Sequence, residues 1–346
     1  MADNEKLKAE IMAQLATVMD PELGRDLVSL GMIHNLTVEG HKASFTLKLT
    51  TPACPLRDKI AASAREAVLR VDGIEEVAVE LGAAVPADPR VNSELSIGIK
   101  SLIAVSSGKG GVGKSTIAAN LAVALQQSSA CVGLMDADIL GPNLPMMMGI
   151  SKMPPPTGQK MNPAEAYGVK VMSMGFLISP EQPVIWRGPM LHGAIGQFFS
   201  DVMWGNLDYL VIDLPPGTGD VQLSLAQSVP LTGAVIVTQP QEVALGDALR
   251  GLAMFQKMNV PIIGVVENMS GDFFGQGGGE RLAEHAGVPF LGTIPLDPMV
   301  RISGDEGKPI LISAPESEAA IALRAIAEAT AARVSTLILS RPQEED

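Results

Sequence analysis

Two cysteines in 346 residues, Cys54 and Cys131, are too few and too far apart to build a disulfide framework, and neither belongs to a C-x-x-C pair. Basic residues are short as well: 25 Lys and Arg stand against 38 Asp and Glu, a formal charge of −13. Such a chain lacks the cationic patches that displace counterions from nucleic-acid phosphates or dock on anionic lipid, so neither nucleic acid nor a membrane is expected as partner. No apolar run approaches the length of a bilayer span; the longest, such as 209–212 and 233–237, have the length of a strand. The opening residues MADNEK lack the basic region and the apolar core of a secretory signal, and a cytoplasmic protein is expected.

What remains, 47% hydrophobic against 18% charged residues, describes a globular chain with room for two domains. Residues 1–82 read as a small α/β domain. Apolar residues at helical spacing (Leu7, Ile11, Leu15, Val18) predict a helix over 6–18 that stops at Asp20-Pro21. Alternating segments at 32–38 and 43–49 predict a hairpin through Glu39-Gly40-His41. A helix over 56–71 and a strand over 74–81 complete an α-β-β-α-β order. Residues 83–98, with Pro86 and Pro89 and no clear period, read as a linker. From 99 to 340, apolar strand-like runs at 102–105, 131–135, 169–172, 209–212, 234–237, 262–266 and 290–294 alternate with helical patterns, among them 193–202, 221–227 and 244–258. The alternation predicts a mostly parallel sheet covered on both faces, with ligands at the carboxyl ends of its strands. Residues 341–346 form an acidic tail.

Between the run at 102–105 and an alanine-rich helical pattern at 117–125 stands VSSGKGGVGKST, where Gly108, Gly113, Lys114 and Ser115 fit G-x-x-x-x-G-K-[ST]. Glycines let backbone N–H groups turn inward around phosphate oxygens, and a helix N-terminus adds its positive end. Gly108, Lys109, Gly110, Gly111, Val112, Gly113, Lys114, Ser115 and Thr116 therefore form a candidate phosphate cradle. Lys114 would reach the outer phosphates, and the Ser115 hydroxyl would hold Mg²⁺. Further on, four apolar residues at 209–212 lead into Asp213 and LPPGTGD, a buried strand ending in a carboxylate that suits Mg²⁺ held through water. DADILGPN at 136–143 sets Asp136 and Asp138 on one side of a strand end, with Asp136 expected to support Lys114 or the metal shell. Asp220 serves either the glycine-rich turn before it or the helix after it, as N-cap. Asn268 ends the 262–266 run with an amide whose donor and acceptors match an adenine edge.

With Lys109 directly after the first glycine, GKGGVGKS resembles the deviant P-loop of the ATPase class that includes MinD, ParA, the nitrogenase iron protein and the Mrp/ApbC iron–sulfur carriers. The resemblance implies a P-loop NTPase that binds ATP and Mg²⁺ as a homodimer, with Lys109 reaching the partner's phosphates. It implies that Lys109, Lys114 and Asp138 serve hydrolysis, Asp138 by orienting water. Asn268 would read the base, with Ile294-Pro295-Leu296 across it. DADILGPN and PPGTGD are similar to the two switches of the Mrp/ApbC family. That family implies ATP hydrolysis linked to binding iron–sulfur clusters and passing them to recipient apoproteins, with a scaffold as a further partner; because positioning and electrostatics do most of phosphoryl-transfer catalysis, turnover without a partner is expected to be slow. Arg187, in Trp186-Arg187-Gly188-Pro189, matches the family without a role. DPELGRDLVSLGMI and TTPACPL resemble the small iron–sulfur-assembly domain often fused in front of such ATPases, where Cys54 would be the functional cysteine with Asp20 or Glu22 nearby. A thiol at a helix N-terminus has a lowered pKa and can bind metal or react, whereas a buried cysteine is a small apolar residue; both readings of Cys54 stand.

The resemblance breaks at one place. Many Mrp/ApbC proteins carry C-P-x-C soon after ENMS, and two subunits together hold a bridging [4Fe–4S] cluster there; this chain has GDFFGQGGG at 271–279. Clusters take thiolate ligands, which leaves Cys54 with a partner's or a small thiol. Cys131, opening a strand, is expected in the core. The alternative reading is a MinD/ParA-like positioning switch without a cluster, although the helix at 317–339 offers only Arg324 and Arg333 as cations. A nitrogenase-type reductase would need two thiolates in the ATPase domain, and Cys131 stands there alone.

Overall fold

A strand whose every second residue is apolar can bury one face, and Lys42–Leu49 does so with Ala43, Phe45, Leu47 and Leu49. The computed structural model describes residues 2–95, 97–138, 141–177, 188–217, 219, 222–223, 226–227 and 229–341. By its internal contacts the chain forms two units, one of Met1–Pro86 with the chain from Ser335 on, the other of Ala87–Val334.

The first unit runs α1 (Ala2–Leu15), β1 (Met19–Asp20), β2 (Arg25–Asp26), β3 (Ile33–Glu39), β4 (Lys42–Leu49), α2 (Arg57–Val68) and β5 (Glu76–Ala83). Strand β4 is central, antiparallel to β3 and parallel to β5. Ile11 and Leu15 of α1 and Ile60, Ala64 and Val68 of α2 close over its buried face. The expected α-β-β-α-β order is present. The short β1–β2 ladder is additional, and the buried Asp20 carboxylate shapes its turn by accepting from the Glu22 and Leu23 amides at 2.9 and 3.1 Å.

The second unit runs α3 (Pro89–Leu95), β6 (Ile99–Ser107), α4 (Lys114–Gln127), β7 (Val132–Asp136), α5 (Leu144–Met147), β8 (Ala164–Ala166), β9 (Val169–Ser173), α6 (Gly188–Ser200), β10 (Leu207–Asp213), β11 (Gly233–Thr238), α7 (Glu242–Lys257), β12 (Ile262–Ser270), α8 (Gly278–Ala286), β13 (Phe290–Pro295), α9 (Pro298–Asp305), α10 (Ile310–Ser313) and α11 (Glu318–Leu339), whose last residues belong to the first unit. Its eight strands lie in the order β13-β12-β11-β6-β10-β7-β9-β8, all parallel except β8 at the edge. Every residue of β7 and β11 is buried, as strands covered on both faces require. The mostly parallel α/β sheet is as expected.

Two expectations change. Residues 83–98, read as a linker, hold the last residue of β5 and all of α3. Pro89 opens that helix and Val91 enters the core of the second unit; seven residues are too short to show a period. Cys131 is exposed, because it sits in the turn leaving α4, one residue ahead of β7, where its N–H donates to Asp208 at 2.8 Å. The helix expected over 221–227 is seen at Gln222, Leu223, Ala226 and Gln227, the rest of it lying outside the described residues. Among the described residues no helix is long and apolar enough to cross a membrane.

Candidate functional site

Parallel pairing brings the carboxyl ends of three strands together. In the ladders Asp213 of β10 lies opposite Val105 of β6 on one side and Asp136 of β7 on the other. The glycine-rich loop leaves β6 at the same edge and turns into α4 at Gly113, which has φ +86°. A Cβ on Gly113 would lie 2.2 Å from the Asn268 amide nitrogen, and one on Gly108 would lie 2.1 Å from the Asp247 backbone of α7. Glycine is thus required at both ends of the loop, by handedness at one and by close approach at the other. Gly110 and Gly111 are exposed, Lys109 is half-buried, and the Ser107 hydroxyl donates to the Lys109 carbonyl at 2.9 Å. The Gly217 amide donates to the Ser107 carbonyl at 2.9 Å, which ties the Pro215-Pro216-Gly217 turn to the loop.

Lys114, buried, points its ammonium at Asp213 Oδ1 at 2.6 Å, at Asp138 Oδ2 at 3.5 Å and at the Ser115 hydroxyl at 3.4 Å. The structure therefore gathers Lys114, Ser115, Asp138 and Asp213, as expected from residues spread over a hundred positions. Asp136 does something else. Its carboxylate accepts from the Asp138 amide at 3.2 Å, the Leu144 amide at 3.2 Å and the Ser173 hydroxyl at 2.9 Å, and bonds the chain that carries Asp138 rather than Lys114. Burial, and then the neighbouring Asp213 carboxylate, push the Asp136 carboxyl up to about 8. Burial also pushes Asp213 up, against the opposing pull of Lys114 and Ser115.

Two carboxylates, Asp138 and Asp213, beside one ammonium leave an excess of buried negative charge, and Asp213 Oδ2 is buried without a hydrogen-bond partner. A hard divalent cation with oxygen ligands answers both needs, so the residues fit Mg²⁺. The loop amides and the start of a 14-residue helix fit the phosphates it would accompany.

Beside α4 a cavity of about 200 Å³ is lined by Thr116, Asn268, Met269, Pro295, Leu296 and Arg301, among others. The Asn268 amide nitrogen donates to the Val112 carbonyl at 2.8 Å, which fixes the side chain against the phosphate loop and leaves Oδ1 as its acceptor. Pro295 and Leu296 line this cavity, while Ile294 is buried and does not. Met269, Met147 and Arg301 were not expected. Met269 holds φ +58°, an uncommon conformation outside glycine, at the residue that turns the chain away from Asn268. Its only sequence signal is its place directly after Asn268.

Cys54 is half-buried in the loop ahead of α2, packed at the margin of the first unit's core, with its carbonyl accepting from the Arg57 amide at 3.3 Å. In the turn between β1 and β2, burial and then the Asp20 charge raise the Glu22 carboxyl. Among the described residues no three His, Cys, Asp or Glu side chains are grouped to hold a metal ion. In the 271–279 stretch, Gly271 and Gly275 bond each other's backbone in both directions at 2.9 and 2.8 Å, Phe273 is 80% exposed, and Glu267 accepts from the Gly277 and Gly279 amides at 3.0 and 2.6 Å. Ile139, Leu140, Trp186, Arg187, Thr218, Asp220 and residues 342–346 lie outside the described residues.

Sheet, loop and carboxylates together define a P-loop α/β nucleotide-binding protein. The family described as NUBPL iron-transfer P-loop NTPase matches residues 98–331, and the one described as iron–sulfur cluster assembly protein matches residues 8–81. An iron–sulfur cluster carrier protein of Synechocystis sp. is 51% identical over 95% of this chain and 98% of its own. Among solved structures, a nucleotide-binding protein of Archaeoglobus fulgidus in complex with ADP is 36% identical over 64% of this chain and 92% of that one, with a TM-score of 0.55. The Pyrococcus furiosus cell division ATPase MinD is 26% identical over 66% of this chain and 97% of that one, with a TM-score of 0.54. The chain belongs to the family of NUBPL-type iron-transfer P-loop NTPases, and carries the iron–sulfur-assembly domain ahead of the NTPase domain.

Proposed function

We propose that the protein is a cytoplasmic, homodimeric ATPase that binds iron–sulfur clusters and transfers them to recipient apoproteins. The observation that carries this reading is the 51% identity, over 95% of the chain, to an iron–sulfur cluster carrier protein. The same reading divides the chain into an assembly-like domain at 1–82 and an ATPase domain at 99–340. Membership of this family favours the carrier over a positioning switch.

ATP would lie with its phosphates in the 108–116 loop and its base in the cavity beside Asn268. Ser115 and Asp213 would hold Mg²⁺, which supplies neutralisation of phosphate charge. Lys114 would exchange its contacts with Asp213 and Asp138 for the outer phosphates. Released from Lys114, Asp138 would orient the attacking water, and Lys109 would reach the partner's phosphates. The Asn268 acceptor suits the 6-amino group of adenine and not the 6-oxo group of guanine. Catalysis by positioning and charge alone is slow until a partner completes the site. The cluster is cargo, and Cys54 is the thiol that would meet it.

Anaerobic reconstitution followed by iron and sulfide analysis, then transfer to a [4Fe–4S]-dependent apoprotein with and without ATP, tests the function. Cluster retained and delivered supports the carrier. A stoichiometry near zero leaves an ATPase without cargo.

A further inference from the structure

The hydrolytic reading gives no task to Asp136 or to the strand beyond it, yet these hold a closed hydrogen-bond chain. Ser173, the last residue of β9, is fully buried opposite Asp136 in the β7–β9 ladder. Its hydroxyl donates to Asp136 Oδ2 at 2.9 Å and accepts from the Gly175 amide at 2.9 Å, capping the single turn Met174–Phe176. Asp136 Oδ1 takes the Asp138 amide and Oδ2 the Leu144 amide, both at 3.2 Å. One carboxylate thus grips both ends of the 138–144 segment, and Ser173 fixes how that carboxylate is turned.

The geometry points to Ser173 as a positioning residue for ATP hydrolysis, one that orients Asp138 through Asp136 without touching the nucleotide; the inference rests on the hydrolytic role proposed for Asp138. A serine that only satisfied a buried acid would need no link to the reacting end. Here the acid it satisfies binds the amide of the residue that meets Lys114 at 3.5 Å. Removing the hydroxyl leaves Asp136 Oδ2 with one donor in a buried site, and a buried acceptor short of a partner turns to find another. The displacement would pass to Asp138, while the phosphate loop, anchored on β6, and the base cavity keep their form. The expected signature is lost turnover with retained nucleotide affinity.

The full-length protein, Ser173→Ala and Ser173→Thr would be compared by ATP turnover, ADP affinity and hydrogen exchange at the Asp138 and Leu144 amides. Ser173→Ala is expected to lower kcat about tenfold, since small misplacements of a positioned group are costly. Its KM for ATP and affinity for ADP stay within about twofold of wild type. The two amides exchange about tenfold faster, as local protection by the clamp is lost. Ser173→Thr, which keeps the hydroxyl, recovers at least half of the lost turnover. Wild-type kcat in Ser173→Ala overturns the inference. So does an equal fall in kcat and nucleotide affinity with unchanged exchange at the two amides. A wild-type protein that hydrolyses no ATP removes the hydrolytic reading instead; the clamp then stands with faster exchange in Ser173→Ala and falls with unchanged exchange.

Discussion

The carboxyl edge of the large sheet and the loop around Cys54 are both places where the sequence announces chemistry, and they are built differently. At the sheet edge Lys114, Ser115, Asp138 and Asp213 converge, one carboxylate oxygen is left without a partner, and a cavity opens beside Asn268. At the other, a half-buried thiol sits at the margin of an apolar core, and no group of three metal-ligating side chains surrounds it among the described residues. The first gathers a lysine, a hydroxyl and two carboxylates within one chain. In the proposed function the second would supply one thiol toward a cluster that needs several, and another thiol-bearing molecule would have to supply the rest.

The comparison can be broken at either end. Lys114→Ala should lower kcat by about 10²–10³, the scale of losing a charged group aimed at developing phosphate charge; steady-state phosphate release checks it, and a wild-type rate would remove the site. Asn268→Ala should raise KM for ATP about tenfold and shrink the preference for ATP over GTP, because in the proposed function the amide would read the base, and in the structure it bonds the Val112 carbonyl. Gly113→Ala, with φ +86° and its Cβ in contact with Asn268, should cost about 1–3 kcal/mol in denaturant unfolding. At the other end, Cys54→Ser should retain less than about half the iron and sulfide of wild type after reconstitution. Equal retention would move the thiol chemistry away from Cys54.

The smallest effect concerns pH. The folded protein holds Asp136 protonated up to about 8, whereas the unfolded chain releases that proton near its ordinary carboxylate value. Between the two values the folded state binds more protons, so stability is greater at the acid end and declines as pH rises. Asp136→Asn, which has no such proton to lose, should flatten the fall in melting temperature between about pH 5 and 8. An unchanged slope would place the raised acid elsewhere.

Much of the sheet edge was legible because its parts are local: GKGGVGKST, DADILGPN and the apolar run into Asp213 each sit within a few residues. The role of Asp136 was not, since it depends on Ser173, which becomes its neighbour only when β9 pairs with β7. Met269 was invisible because positive φ at methionine leaves no mark in composition. Cys131 misled because the burial habit of free cysteine describes strand interiors, and this one stands at the mouth of its strand. In 83–98 the prolines suggested an open chain, while one of them starts a helix.

The ladder positions Asp213–Val105 and Asp213–Asp136 also set where the chain can change length. A residue added to or deleted from β10 would shift its side chains by about 3.3 Å and turn Asp213 to the opposite face. Between Gly271 and Gly275 the backbone closes on itself, so residues gained or lost inside that turn leave Asn268 and its strand in register. Variation in length is therefore forbidden in the strand that ends at Asp213 and accommodated a few residues beyond Asn268, where the exposed Phe273 now stands.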